Sequence, residues 1–184
     1  MEKISIKEIF FNHPSKEWHF EQVLKTSGLS RGQTNEWLKR LCKNEIILRN
    51  KPKKKMPHYV SNFNNFKYRN AKLMYALNSL NESGLLDYLT SLENVQTVVL
   101  FGSYSRWDWY NESDIDIFIY GNVKEIFVGK FSATLKKNVQ LFIAKSEKDL
   151  KKMGSLLLRN ILKGIILKGN INDILKNATI QNNK

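Results

Sequence analysis

The chain has 184 residues, 42% of them hydrophobic and 11% aromatic, an apolar content that argues for a folded core and against disorder. Its length suits one large domain or two small ones, and its single cysteine, Cys42, excludes an intramolecular disulfide framework and a cysteine-built zinc cluster. No apolar run reaches the roughly 18 residues of a membrane span, and MEKISIKEIF lacks the apolar stretch of a secretion signal, so a soluble cytoplasmic protein with no membrane partner is expected.

The 30 Lys+Arg and 17 Asp+Glu give a net charge of +13, which favours a polyanionic partner. The excess is uneven: residues 1–81 hold 16 Lys+Arg and 6 Asp+Glu, residues 82–184 hold 14 and 11. Such asymmetry suggests modules with different tasks. We expect them at 1–62 and 94–184, joined by connecting helices over 63–93.

In chain order, residues 4–11 read as a short amphipathic helix broken by His13-Pro14-Ser15. Residues 19–26 read as a second helix, stopped by Gly28. Ser30 suits an N-cap, and 31–43 a third helix with Trp37, Leu38 and Leu41 on one apolar face. Residues 46–50 and 58–62 read as strands around a lysine-rich turn. Three helices and a basic hairpin resemble a winged helix-turn-helix. In such modules the second helix of the pair enters the major groove. That assigns Arg31, Gln33, Thr34, Asn35 and Lys39 to the recognition helix. Arg49, Lys51, Lys53, Lys54 and Lys55 would neutralise phosphates. A protein-contact module is the competing reading of the same elements. Residues 63–81 read as a helix with Phe66, Leu73, Tyr75, Leu77 and Leu80 packed in a core, and 85–92 as another short helix.

Residues 95–101 (VQTVVLF) read as a buried strand, followed at once by Gly102-Ser103. A second strand follows over 113–120 (SDIDIFIY). Side chains alternate along a strand, which puts Asp114 and Asp116 on one face and Ile115, Ile117 and Ile119 on the other. Two carboxylates side by side on an apolar strand repel each other and lose hydration unless a cation sits between them. Mg2+ takes oxygen ligands from carboxylates and substrate phosphates and answers that need. Gly102 admits close backbone approach, and Ser103 offers a hydroxyl.

The stretch LFGSYSRWDWYNESDIDIFIY (100–120) resembles the signature of the polymerase-beta-like nucleotidyltransferases, in particular their minimal branch: Gly-Ser, a spacer with an Arg, then Ser-Asp-x-Asp. Gly102, Ser103, Arg106, Ser113, Asp114 and Asp116 fall on those positions. Residues 63–169 look like archaeal-type chains that join a helix-turn-helix to this domain. The resemblance implies an α+β chain: a winged helix-turn-helix, then a small mixed sheet with helices. It implies transfer of a nucleoside monophosphate from an NTP, by expectation ATP, with Mg2+ or Mn2+ held by Asp114 and Asp116. Gly102, Ser103, Arg106 and Ser113 would then bind nucleotide. It also implies an antitoxin-like role, with a protein acceptor or a helical toxin as partner.

Two departures from the pattern stand out. The family has a third carboxylate on a later strand, and the matching strand here, Val139–Ala144, carries Gln140 at that position. Gln140 can lend an oxygen to a metal but neither charge nor basicity. A register shift bringing in Glu147 or Asp149 is the alternative. The other departure is Trp107, where the family spacer commonly has Gly. The residues thus lead to an Mg-dependent nucleotidyltransferase with a DNA-binding module acting on a protein or nucleic acid. The alternative is a catalytically impaired DNA-binding regulator or antitoxin-like protein that binds nucleotide without turnover. A third reading is a self-assembling scaffold, such as a homodimer, built on the amphipathic helices, including 147–163.

Overall fold

The computed structural model describes residues 5–178; the polar end Gln181–Lys184, expected to fray, lies outside them. The chain divides into two compact units. One ends at Met74 and also takes in Asp108–Asn111; the other comprises Tyr75–Trp107 and the chain from Glu112 onward. The stretch 63–93 is shared between them, because α4 (Phe66–Glu82) begins in one and ends in the other.

The first unit runs α1 (Ile6–Asn12), β1 (Trp18–His19), α2 (Phe20–Ser27), α3 (Arg31–Lys43), β2 (Ile47–Asn50), β3 (His58–Ser61) and the start of α4. α1 buries Ile6, Ile9, Phe10 and Phe11 and ends ahead of Pro14, which cannot continue a helix. Gly28 closes α2 in the left-handed conformation, φ 64°, its N–H donating to Leu24 O. Ser30 opens α3: its Oγ accepts from the Gln33 N–H, while the Ser30 N–H donates to Gln33 Oε1. This reciprocal capping box fixes where the helix begins. The strands form an antiparallel sheet in the order β1-β3-β2, with Arg49 opposite Tyr59. The two-residue β1 is too short to leave a periodic signal in the sequence.

Two packing expectations need correction. Trp37, expected beside Leu38 and Leu41, is 37% exposed, with the Arg40 guanidinium 5.4 Å from its ring centre. The buried face of α3 follows Thr34, Leu38 and Leu41, and each residue step turns the helix by about 100°. Phe66, expected in the core of α4, is 66% exposed; the buried line is Tyr68, Lys72, Ala76 and Leu80, four residues apart. A lysine within that line hides the true face from a reading based on apolar residues alone.

The second unit contains the end of α4, then α5 (Leu85–Ser91), β4 (Val95–Phe101), α6 (Gly102–Arg106), β5 (Ile115–Gly121), α7 (Gly129–Leu135), β6 (Val139–Ala144), α8 (Glu147–Lys152), α9 (Ser155–Leu162), β7 (Ile165–Lys168) and α10 (Ile171–Ala178). The sheet order is β6-β5-β4-β7; β5 and β6 are parallel and the other neighbours antiparallel. This is a mixed α+β fold. On one sheet face Val99, Phe101, Phe118, Tyr120 and Ala144 pack against Leu150, Ile161 and Ile174 from α8, α9 and α10. The amphipathic run 147–163 comprises two helices divided at Met153-Gly154.

Candidate active site

Antiparallel pairing sets Phe101, the last residue of β4, opposite Asp116 in β5. The next residue, Gly102, turns the chain into α6 with φ +71°. A Cβ on Gly102 would fall on the Asp116 carboxylate, so that side chain lies directly over the Gly102 backbone. Glycine is required here twice over, by the left-handed backbone and by the carboxylate above it. Ser103 follows on the same turn, half-buried, and Ser105 Oγ donates to Gly102 O at 2.9 Å.

Both faces of β5 are buried beyond its first residues. Phe118 and Tyr120 share the Asp116 face, so that face is a core face, and the carboxylates occupy its open end. Asp116 is half-buried; Asp114, one residue before β5 begins, is exposed. Burial pushes the Asp116 carboxyl above its ordinary value, the Asp114 charge pushes it further, and the Arg106 guanidinium opposes both. A carboxylate whose charge is disfavoured by burial and by a second carboxylate beside it belongs to a donor set suited to a hard divalent cation. Asp114 and Asp116 are the residues that would hold one. Ser113, half-buried, precedes them.

Gln140 is the parallel register partner of Asp116 and is exposed. Residues paired across a sheet project from the same face, so Gln140 belongs to the carboxylate end of the sheet. Glu147 and Asp149 do not. Both lie in α8, past the opposite end of β6: Glu147 pairs with Lys151 at 2.8 Å, and Asp149 accepts from Ser146 Oγ at 3.0 Å and from the Lys145 N–H at 3.1 Å. The unbroken register of Val139–Ala144 against β5 leaves no shift that would bring either acid alongside Asp116. Among the described residues no group of three or more His, Cys, Asp or Glu is placed to hold a metal.

Trp107 caps α6 with φ 69°, a left-handed backbone that is uncommon for a bulky side chain. Sequence reasoning takes the spacer for a plain loop and misses both α6 and the burial of Trp109, which is only 2% exposed. The legible signal is two tryptophans in an otherwise polar connection.

In the first unit the proposed DNA-facing residues separate. Thr34 is fully buried and cannot meet a base edge; it lies on the core line of α3. Gln33 is committed to the capping box, and Arg31 makes a two-pronged ion pair with Glu21 at 2.5 and 3.1 Å. Lys39 lies 3.4 Å from Glu36, and Asn35 is half-buried. Arg49, Lys51, Lys53, Lys54 and Lys55 are all exposed on the hairpin.

Residues 84–173 match the family model described as polymerase beta, nucleotidyltransferase, so this stretch carries a nucleotidyltransferase domain. No curated protein matches the chain. Among solved structures, similarity is found to toxin–antitoxin crystals. One is a mutant of the MntA-HpeT pair, with 19% identity over 59% of this chain and 81% of that one, at a TM-score of 0.36. Another is a toxin–antitoxin crystal with AMP-PNP, with 21% identity over 59% and 82%, at 0.37. A third is a second MntA-HpeT mutant, with 25% identity over 55% and 82%, at 0.39. Overlaps this partial do not bear on function. Among the described residues no helix is long and apolar enough to cross a membrane.

Proposed function

We propose that the second unit binds an NTP with Mg2+ or Mn2+ and transfers the nucleoside monophosphate to an acceptor on a protein or nucleic acid. The observation that carries this reading is the seating of the Asp116 carboxylate over Gly102, with Asp114 beside it and Arg106 opposing their charge. Asp114 and Asp116 hold the divalent ion, which neutralises phosphate charge when bound. Gly102 leaves room for a phosphate to approach the backbone, Ser103 and Ser113 offer hydroxyls, and Arg106 supplies a cation. The acceptor's nucleophile joins the α-phosphorus and pyrophosphate leaves. ATP is the expected nucleotide.

The first unit acts as a winged helix-turn-helix on DNA. Its helix–strand–helix–helix–strand–strand order and the exposed cations on the hairpin support that role. With Thr34 buried and Gln33 capping, the contacts come from Arg49 and the hairpin lysines toward phosphates, with Arg31, Asn35 and Lys39 on the helix beside them.

Incubation with labelled ATP, Mg2+ or Mn2+ and candidate acceptors tests the transferase reading. Label transfer should fall to background in Asp114→Ala/Asp116→Ala; transfer equal in both proteins sinks it. Gln140 favours a second reading, in which nucleotide is bound without turnover by an antitoxin-like or DNA-regulating protein. There, Gln140→Glu should tighten Mn2+ binding about tenfold, some 1.4 kcal/mol, by restoring a charge beside Asp116. Unchanged Mn2+ affinity would count against any role for that position.

A further inference from the structure

A short spacer joins the two parts of the candidate site in the chain. Asp108–Asn111 belongs to the first unit, although the chain enters it from Trp107 and leaves it to Glu112. Trp109 is buried edge-on to Phe11 at 6.3 Å, and Phe11 is edge-on to Tyr68 at 5.4 Å. Lys72, fully buried, donates its ammonium to Trp109 O and lies 4.5 Å from the Trp109 ring centre. The Asn111 N–H donates to Asn12 O at 2.9 Å. A buried lysine is costly unless its charge is well met; here a carbonyl and two ring faces lie against it, and the carbonyl and the nearer ring belong to the spacer residue Trp109.

Each end of that spacer leads into a part of the candidate site. α6 is a single turn with no side-chain cap, too short to hold itself. It ends on Trp107 at φ 69°, a conformation that persists only where neighbouring structure enforces it. Asp114 lies outside the β5 ladder, so strand pairing does not place it.

We propose that Lys72 and Trp109 are positioning residues for the nucleotidyltransferase site: by anchoring Asp108–Asn111 they fix, through the chain itself, α6 on one side and Asp114 on the other. This rests on the site reading above and deepens it. Neither residue touches nucleotide or metal. Both act by restricting the conformations open to residues 102–107 and 112–116.

Amide hydrogen exchange on the full chain tests the anchor without any ligand. In Lys72→Met, and in the milder Trp109→Phe, amides of 102–107 and 112–116 should exchange at least tenfold faster, while β4 and β6 keep their wild-type rates. Wild-type exchange at 102–107 and 112–116, with faster exchange only in the first unit, overturns the proposal. A parallel titration with Mn2+ and a non-hydrolysable ATP analogue separates it from the site reading. Asp114→Asn should abolish binding, and Lys72→Met should weaken it about tenfold with its thermal unfolding still cooperative. Binding by Asp114→Asn at wild-type strength removes the site reading, whereas the exchange rates decide the anchor on their own.

Discussion

Two charged groups withdrawn from water, Lys72 in the first unit and Asp116 in the second, are treated in opposite ways. Around Lys72 the fold supplies a carbonyl oxygen and two aromatic faces, so the charge is met from within its own unit. Around Asp116 it supplies burial and a second carboxylate, with Arg106 the opposing cation. A withdrawn charge whose partners come with the fold is architecture. One that the fold leaves under repulsion is a candidate binding site. That contrast, more than the charge totals, distinguishes the surroundings of Lys72 from those of Asp116.

The sharpest way to break the comparison is at glycine. Gly102 and Gly28 both have left-handed backbones, but a Cβ on Gly28 meets nothing within 4 Å, whereas one on Gly102 meets the Asp116 carboxylate. Gly102→Ala should abolish nucleotide binding in a Mn2+·ATP titration. Gly28→Ala should leave binding intact and cost only about 1 kcal/mol in denaturant unfolding. Equal effects of the two changes would mean that the carboxylate seat has no special role.

A smaller effect probes the packing around Lys72. Burial pushes the Tyr68 phenol up to about 12, against an ordinary value of 10.0. The folded state therefore keeps its proton where the unfolded chain has lost it, so stability should fall as pH rises from 10 to 12 and level off above. The loss approaches about 2 to 3 kcal/mol for a shift of this size. Urea unfolding of wild type and Tyr68→Phe across that range checks it: the difference between the two should shrink or reverse as pH rises, and parallel curves would refute the shift.

The smallest change is expected on the basic hairpin, whose charges are solvated and screened. Replacing Lys53, Lys54 and Lys55 with Ser should weaken duplex DNA binding and flatten its dependence on log salt by about 0.9 for each phosphate no longer neutralised. Thr34→Ser, buried away from any ligand, should leave both quantities unchanged. A salt slope unmoved by the triple change would assign DNA binding to other residues or deny it.

Much of this is legible in one sequence because the signals are local. Ser30 and Gln33 set the start of α3 at the residue expected, and the β-branched run 95–101 is a strand over the same residues, because capping and alternation act within a few positions. The Gly-Ser and Asp-x-Asp elements are legible as residue types. Their juxtaposition needs the ladder that sets Phe101 against Asp116, and only the parallel register of β5 and β6 puts Gln140 beside them. The errors share one cause. Thr34 and Lys72 are polar residues on buried lines and Trp37 and Phe66 are apolar residues on exposed ones, so residue type misleads wherever helix phase and neighbours decide.

By itself, then, the sequence determined a basic first half, most of the helices and strands, and a pair of carboxylates on one face of a strand. Charge, capping and periodicity are properties of neighbouring residues, and they survive without a fold. Tertiary structure decided which polar residues are buried, what faces Asp116, and that the spacer through Trp109 is held by Lys72 in the first unit. Those depend on contacts between residues far apart in the chain, and only closing the fold brings them together.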